Sequence, residues 1–386
     1  MRRPLTWLLL ITVAGWIASC TGRYKMSREV LERPSAWPTN RADIAATGAI
    51  AGPDFTGKLD QIWQGKVNDR PVGPIILAHG QLAISGSRKR LWFFDCTSGD
   101  RLGRFRLGGI PQGGLVLVDS LAYLSLAHPR NRLLCTDLAH HNIRWQARIK
   151  DAAFAPIIVG NRLMTSSGDG IVTALDPKSG KLIWKFQTDG RLLGPVSAGD
   201  ERLYVGSDDG TLVALSQSDG KELYRVKLRS PIVNAAAVAD YIYVAEADGQ
   251  LSALHPADGS VAWKVTLPSS TWTAPTVSDR RVIIACRNGD VLAYDAPTGR
   301  ELWRYAAVDV VKASPIVVGG YVVIGTMAGA VKTLSAESGT LIGQARLNGA
   351  VAFSPVSDGS RVYVATQSGR VYCLGDLHEP HSKENQ

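Results

Sequence analysis

Residues 195–224 read Pro-Val-Ser-Ala-Gly-Asp-Glu-Arg-Leu-Tyr-Val-Gly-Ser-Asp-Asp-Gly-Thr-Leu-Val-Ala-Leu-Ser-Gln-Ser-Asp-Gly-Lys-Glu-Leu-Tyr. Two runs of β-branched, aromatic and aliphatic residues flank Asp209-Gly210, a pair that supplies the positive φ of a tight hairpin. A second turn, Asp219-Gly220, precedes a third run that ends at Tyr224. The stretch therefore predicts three strands joined by two hairpins.

The same unit recurs along the chain at a spacing of about 40 residues. Aligned on the residue that opens each unit, the copies begin at Pro74, Leu115, Pro156, Pro195, Pro231, Pro275, Pro315 and Pro355. A repeat of this length with several strands per unit is typical of a propeller. The sequence thus predicts an all-β fold, an eight-bladed β-propeller of four-stranded antiparallel blades over residues 58–375.

An aromatic residue follows the second turn in most units. The set is Trp63, Trp145, Trp184, Tyr224, Trp263 and Trp303, while Gly103 and Gly343 stand near that position in units 1 and 7. At a fixed blade position these rings favour blade-to-blade docking, with ligand stacking as the alternative. The last unit stops before its outer strand, and residues 58–63 match 181–184. We therefore expect the N-terminal strand to complete blade 8 and close the ring.

Charge and cysteine content exclude some classes of function. The formal net charge is +9, but there is no basic stripe with interleaved aromatics, so nucleic acid is not an expected partner. The densest basic run, residues 88–90, is compatible with an anionic membrane surface or with a simple solvated surface. Of five cysteines, Cys135 and Cys373 occupy the small-residue position of the third strand and are expected to be buried fillers.

The N-terminus has the features of an export signal. Arg2-Arg3 precede a short apolar run, and Ala18-Ser19 stand directly before Cys20. A small pair before cysteine matches the bacterial lipobox, which implies cleavage before Cys20 and lipid attachment on it; the alternative is an ordinary signal followed by a chance cysteine. Thr21, in place of Asp, favours the outer membrane. We expect a signal at 1–19, a lipid-anchored tether and leading segment at 20–57 with little regular structure, and a disordered polar tail at 376–386.

No set of residues with catalytic or metal-binding spacing is present. The acidic glycine-rich turns do not follow the spacing of a calcium loop, and no Gly-x-Ser-x-Gly elbow occurs. His140-His141 could contribute to a metal site, but no third ligand lies near in sequence, and a solvated loop is the alternative. The sequence therefore predicts no enzyme and no bound metal.

The unit Leu-Tyr-Val-Gly-Ser-x-Asp-Gly-x-Leu-x-Ala-Leu, followed by Gly-Lys-x-x-x-Trp or Tyr, resembles the pyrroloquinoline-quinone-like propeller repeat. Two families share this repeat: quinoprotein dehydrogenases and the BamB family, lipoprotein subunits of the outer-membrane barrel assembly machine. The dehydrogenases imply an adjacent cysteine pair and a Glu/Asn/Asp set on calcium, and no two cysteines are adjacent here. With its lipobox and no added domain, the chain is similar to the BamB family, so pyrroloquinoline quinone is not an expected cofactor.

The resemblance implies a membrane-anchored scaffold for an envelope protein complex, with outer-membrane β-barrel assembly as the leading case. The expected partners are envelope proteins, including the barrel-assembly core subunit, on the periplasmic side of the outer membrane. Two alternatives stay open: a lipoprotein that binds a small ligand or glycan at the channel mouth, and a quinoprotein oxidoreductase. A BamB-like contact implies residues in the loops that link one unit to the next. The candidates are Arg191, Leu192, Leu193, Trp272, Asp309 and Lys312.

The alternative for the apolar candidates is that they pack beneath their own loops. The BamB-like contact also implies a Leu-x-Leu-Arg order and an acidic pair in the next loop. Here the order is Arg191-Leu192-Leu193, and residues 227–230 contain no acid.

Overall fold

The repeat unit folds as expected, and hydrogen-bonded strands account for nearly all of its regular structure. The computed structural model describes residues 24–27, 41, 43, 46–127, 131–149, 151, 154–234 and 236–377. Within these ranges the chain forms 33 strands and no α-helix. It follows that none of the described segments is a helix long and apolar enough to cross a membrane.

The strands are numbered in chain order. Two precede the first repeat: β1 (Ala49–Ile50) and β2 (Asp60–Lys66). Blades 1 to 4 contain β3 (Ile76–Ala78), β4 (Gln81–Gly86), β5 (Arg90–Asp95), β6 (Arg101–Arg106); β7 (Ile110–Val118), β8 (Leu121–Ala127), β9 (Arg132–Asp137), β10 (Asn142–Arg148); β11 (Ile157–Val159), β12 (Arg162–Ser166), β13 (Ile171–Leu175), β14 (Leu182–Gln187); β15 (Ser197–Gly199), β16 (Arg202–Gly206), β17 (Thr211–Ser216) and β18 (Glu222–Lys227).

Blades 5 to 8 repeat the pattern. They contain β19 (Ala237–Val238), β20 (Ile242–Ala245), β21 (Gln250–Leu254), β22 (Val261–Thr266); β23 (Thr276–Ser278), β24 (Arg281–Ala285), β25 (Asp290–Asp295), β26 (Glu301–Ala306); β27 (Ile316–Val318), β28 (Tyr321–Gly325), β29 (Ala330–Ser335), β30 (Leu341–Arg346); β31 (Val356–Ser357), β32 (Val362–Ala365) and β33 (Arg370–Gly375). In blades 1 to 7 the four repeat strands pair antiparallel in sequence order from the innermost to the outermost.

Blade 8 is closed by the N-terminal strand. The order of its sheet is β31-β32-β33-β2, and Trp63 of β2 lies opposite Cys373 of β33. The pairing confirms the predicted eight-bladed ring. Its physical basis is that β33 would otherwise leave one row of backbone groups without hydrogen-bond partners.

The segment before Lys58 contains more structure than the sequence predicts. Strand β1 pairs in parallel with β27, with Ala49 opposite Val317, and becomes a fifth and innermost strand of blade 7. The N–H groups of Val317 and Gly319 donate to the carbonyl oxygens of Gly48 and Ile50, at 3.0 and 3.1 Å. The expectation of little regular structure before Lys58 is therefore wrong at β1, because the inner edge of blade 7 offers backbone groups that need partners.

A buried arginine holds the same segment against blade 6. The guanidinium group of Arg41 is almost fully buried and donates to the carbonyl oxygen of Pro275 at 2.6 Å and to the hydroxyl of Thr276 at 2.9 Å. Burial lowers the pKa of Arg41 to about 10, an effect that nearby Asp43 opposes, so the side chain stays charged at neutral pH. Arg41 is thus a packed part of the propeller.

The predicted docking aromatics all occupy the same kind of position, at the junction between one blade and the next. Each ring lies on the outermost strand of one blade and donates a hydrogen bond to a carbonyl in the last turn of the next blade. The pairs are Trp63–Cys96 (3.0 Å), Trp145–Pro177 (2.8 Å), Trp184–Gln217 (3.3 Å), Tyr224–Pro256 (2.9 Å), Trp263–Ala296 (2.7 Å) and Trp303–Ala336 (2.9 Å). The turn beneath each ring also requires glycine, because there is no room for a Cβ. A Cβ on Gly180, whose φ is +70°, would lie 2.5 Å from the Trp145 ring.

Blade 1 lacks the aromatic, and an N-terminal segment takes its place. The ring of Tyr24 stacks on Phe93, with centroids 3.8 Å apart, and its backbone lies against Gly103, where a Cβ would be 3.0 Å away. The N–H of Met26 donates to the carbonyl of Leu138 at 3.2 Å, the turn position that receives the indole N–H in other blades. We call residues 24–27 the strap.

Blade 7 also lacks the aromatic. The carbonyl oxygen of Gly57 lies where a Cβ on Gly343 would stand, and it accepts a hydrogen bond from the hydroxyl of Thr333. Phe55 meets Tyr321 edge-on at 5.6 Å. Blade 8 has no turn before its outer strand, because that strand comes from the N-terminus, so a tryptophan at position 343 would have no turn to dock beneath.

Several expectations concern residues outside the described ranges. These are the signal at 1–19, the lipidation site Cys20, and residues 378–386 of the tail.

A candidate partner-binding face

The connections between blades all open on one face of the ring. Because successive strands run antiparallel, the loops that join an outermost strand to the next innermost strand share a face with the turns between second and third strands. We call this the loop face. All six loop candidates from the sequence lie on it: Arg191, Leu192, Leu193, Trp272, Asp309 and Lys312.

Three of these loops carry exposed apolar side chains. Leu193, Trp272 and Val310 are each about two-fifths exposed, and Val308 is 89% exposed. The other large exposed apolar residues of the described chain lie mainly on outermost strands, at the rim of the ring. Exposed apolar side chains on connecting loops, away from the blade cores, are candidate contacts for another protein.

Leu192 differs from its neighbour. Its side chain is 1% exposed and packs in a blade core with Val196 and Val205. Its backbone forms an isolated antiparallel β-bridge with Ser207. The alternative interpretation, packing under the loop, therefore holds for Leu192, whereas Leu193 points to solvent. The sequence could not separate the two leucines, because their alternation depends on the bridge to Ser207.

Arg191 is exposed, but hydrogen bonds fix both its backbone and its side chain. Its N–H donates to the carboxylate of Asp208 at 2.9 Å, and its Nε donates to the carbonyl of Gly168 at 3.2 Å. Its guanidinium group lies 3.9 Å from the carboxylate of Asp151. The loop is therefore preorganised, which lowers the conformational entropy that a bound partner would need to remove.

Asp309 stabilises the loop that displays Val308 and Val310. Its carboxylate accepts hydrogen bonds from the N–H groups of Ala328 and Val310, at 2.6 and 2.8 Å. Burial alone would raise its pKa, but hydrogen bonds from Thr326 and these two amides outweigh burial and lower it. Asp309 thus has a structural role in this loop, while Lys312 nearby is exposed.

Trp272 is covered on one side by a cation. The guanidinium carbon of Arg287 lies 3.9 Å from the centroid of the indole ring, in the geometry of a cation–π contact. Arg287 comes from a turn of blade 6, and its N–H donates to the carbonyl of Ser270. The sequence pattern did not identify Arg287, since nothing in the repeat marks a turn residue that folds back over the preceding loop.

Sequence reasoning also missed the carboxylates that hold these loops. Glu246 is almost fully buried and accepts hydrogen bonds from the N–H groups of Arg229 and Ser230, at 2.9 and 2.8 Å. Burial raises its pKa. The loop at 227–230, which has no acid of its own, is therefore capped by an acid from the neighbouring hairpin. Asp208 does the same for Arg191, but from one position further along its hairpin, so no fixed position in the repeat marks these carboxylates.

The described residues contain no cluster with the ligands of a metal site. Within these ranges, no three His, Cys, Asp or Glu side chains come close enough to hold an ion. Burial raises the pKa of Cys135 and of Cys286 to about 11, so both thiols stay protonated at neutral pH. His140 lies 2.9 Å from the carboxylate of Asp137, and His141 stacks on Phe105. Both histidines have local structural partners.

These features define the class of protein: an eight-bladed β-propeller built from pyrroloquinoline-quinone-like repeats, with a preorganised and partly apolar loop face. Comparison with known families identifies it further. Residues 168–240 and 232–385 match the sequence model of the family described as outer membrane protein assembly factor BamB, and together they cover more than half of the chain. The chain belongs to this family.

Individual relatives are more distant. The protein is 29% identical over 225 residues to the outer membrane protein assembly factor BamB of Burkholderia pseudomallei. This alignment covers 53% of this chain and 58% of that protein. It is 29% identical over 100 residues to the BamB of Nitrosomonas eutropha, 25% of this chain and 24% of the relative. The matched segments thus span less than two thirds of these relatives.

Solved structures agree on the fold. BamB from Moraxella catarrhalis superposes with a TM-score of 0.71 at 20% identity, over 82% of this chain and all of the other. The quinohemoprotein alcohol dehydrogenase of Comamonas testosteroni gives a TM-score of 0.72 at 15% identity, over 90% of this chain and 82% of the other. At these identities the likeness concerns architecture alone, because one fold carries many functions.

Proposed function

We propose that this protein is a non-catalytic scaffold of the bacterial cell envelope, anchored by a lipid on Cys20 at the periplasmic side of the outer membrane. Its proposed partner is the core subunit of the machinery that assembles outer-membrane β-barrels. Family membership supports this proposal, since the relatives are named as outer membrane protein assembly factors. The lipobox-like Ala18-Ser19-Cys20 supports the anchor.

The observation that carries the proposal is the apolar loop face. Leu193, Trp272 and Val308 project from loops whose backbones are capped by carboxylates or by inter-blade hydrogen bonds. A rigid platform with a few exposed apolar groups matches the way interfaces concentrate binding energy in a few anchors. Within the described ranges, in contrast, no group of three His, Cys, Asp or Glu side chains could hold a metal ion.

The test is capture from solubilised membranes with tagged full-length protein. We expect the wild type to recover the barrel-assembly core, and Trp272→Ser with Val308→Ser to reduce recovery at least tenfold, as loss of central interface anchors does. The matched control is Ile183→Ser with Leu223→Ser, which removes two exposed apolar residues from the rim. If the wild type recovers no barrel-assembly core, the barrel-assembly role is wrong. If only the control variant loses capture, the loop face is the wrong surface.

A further inference from the structure

The rim of the ring at blade 1 is unusually basic. Its outermost strand, β6, contains Arg101, Arg104 and Arg106 and no acidic residue. Arg90 of β5 lies opposite Arg106, and Trp92 lies opposite Arg104. Because side chains alternate along a strand, Arg90, Arg104 and Arg106 share one face of the blade.

A tryptophan organises this cluster. The guanidinium carbons of Arg90, Arg101 and Arg104 lie 5.9, 5.6 and 5.9 Å from the centroid of the Trp92 ring. These distances are within the range of cation–π attraction. The buried indole therefore gathers the three guanidinium groups at the rim.

The equivalent strands of blades 4 and 6 each contain a glutamate that pairs with an arginine. In blade 4 Arg225 pairs with Glu222 at 2.6 Å, and in blade 6 Arg304 pairs with Glu301 at 3.0 Å. The glutamate position is occupied by Arg101 in blade 1. Within the described ranges, Arg104 and Arg106 form no ion pair with a carboxylate. Blade 1 therefore presents positive charge where blades 4 and 6 present ion pairs.

The strap attaches to this same strand. The N–H of Tyr24 donates to the carbonyl oxygen of Arg104 at 3.0 Å. Tyr24 follows Cys20 by four residues, and a fully extended chain covers at most about 14 Å over that distance. If Cys20 is acylated, a step that rests on the proposed function, β6 lies close to the bilayer. The distance between its charges and the headgroups is then little more than a Debye length, about 8–10 Å, so salt screens their attraction only in part.

We propose that the rim of blade 1 is a membrane-binding surface that takes the anionic headgroups of the bilayer holding the lipid anchor. Guanidinium groups suit this role because they bind phosphate oxygens in a bidentate manner. Arg88 and Lys89, both exposed, extend the surface at the adjoining turn. Leu102, 40% exposed between the arginines, adds an apolar side chain that can enter the headgroup layer.

The first test measures vesicle binding of the full mature chain with Cys20→Ala, so that no acyl chain contributes. The probes are vesicles of phosphatidylcholine alone and with about one third phosphatidylglycerol, at low and high salt. We expect binding to the anionic vesicles only, and about a hundredfold weaker binding for R90Q/R104Q/R106Q. The matched control, K181Q/K185Q/K264Q, removes the same charge from the outer edges of blades 3 and 5. Thermal melts confirm folding of both variants.

A second test places a photoreactive residue at Leu102 or at Ile183 in the lipidated protein in membranes. Ile183 has the same bulge position in blade 3 and is 44% exposed. We expect lipid adducts at Leu102 alone. Equal vesicle binding by the two triple variants, equal lipid adducts at both positions, or a protein adduct at Leu102 would each overturn the proposal. If Cys20 proves not to be acylated, the lipid anchor of the proposed function is wrong. The vesicle experiment, which uses Cys20→Ala, still tests the membrane-binding surface.

Discussion

The indole N–H of Trp63 donates a 3.0 Å hydrogen bond to the carbonyl oxygen of Cys96, which joins the last blade of the ring to the first. Four other blade junctions use the same indole bond and a fifth uses the hydroxyl of Tyr224, each between residues 32 or 33 positions apart. At the Trp63 junction the strand that carries the indole also completes blade 8. One residue therefore contributes both to strand pairing and to blade docking at the closure.

Trp63→Ala tests the energetic weight of this closure. Removing a buried tryptophan is expected to lower the free energy of unfolding by about 3–5 kcal/mol, through lost contacts and the cavity left behind. Trp63→Phe keeps most of the ring and loses the hydrogen bond, so it should cost only about 0.5–1.5 kcal/mol. Urea unfolding followed by fluorescence measures both. Equal losses for the two variants would mean that the hydrogen bond, and not packing, dominates the junction.

Tyr24→Ala tests whether the strap replaces the missing tryptophan of blade 1. The ring stacks on Phe93 and its hydroxyl donates to Gln81, so we expect a loss of about 3 kcal/mol. Lys25→Ala, a change at the exposed neighbouring residue, should alter stability by less than about 0.5 kcal/mol. Hydrogen exchange should also show faster exchange of the Met26 amide in the first variant. Unchanged stability would show that blades 1 and 2 dock without the strap.

Acid should weaken the turn of blade 4. The hydroxyl of Ser207, the ammonium group of Lys227 and the N–H of Thr211 hold the pKa of Asp209 well below its usual range. A carboxylate with a lowered folded-state pKa stabilises the fold above its unfolded pKa of about 4, and this stabilisation is lost as pH falls through the folded value. We expect Asp209→Asn to cost about 1 kcal/mol at pH 7 and progressively less below pH 4.

Denaturant unfolding at several pH values gives this profile. Asp54→Asn, at an exposed position, serves as the control. A difference between wild type and Asp209→Asn that stays constant down to pH 2 would contradict the assignment.

The sequence predicted the ring because each unit carries its own turn signals and its own aromatic, and because residues 58–63 copy an outer strand. It also exposed the two gaps, at Gly103 and Gly343. What fills them could not be predicted, since Tyr24 and Gly57 reach these gaps through tertiary contacts that no repeat period encodes. The loop candidates were only partly separable for the same reason. Leu192 and Leu193 are chemically identical, and only the bridge to Ser207 decides which one is buried.

Val308 combines exposure with backbone strain. Its φ is +61°, a region that β-branched residues rarely adopt, and the side chain is 89% exposed. Val308→Asn should stabilise the fold by about 1 kcal/mol, because asparagine tolerates this region and no packing is lost. Val310→Asn, in the same loop but at ordinary φ, should bring no gain.

The same two variants connect strain to binding. Strained residues persist where function retains them, so we expect Val308→Asn to raise the unfolding midpoint while it reduces capture of the barrel-assembly core. Thermal melts and quantitative capture on the same preparations measure both effects. A variant that gains stability and captures as well as the wild type would show that the strain at Val308 has no part in partner binding.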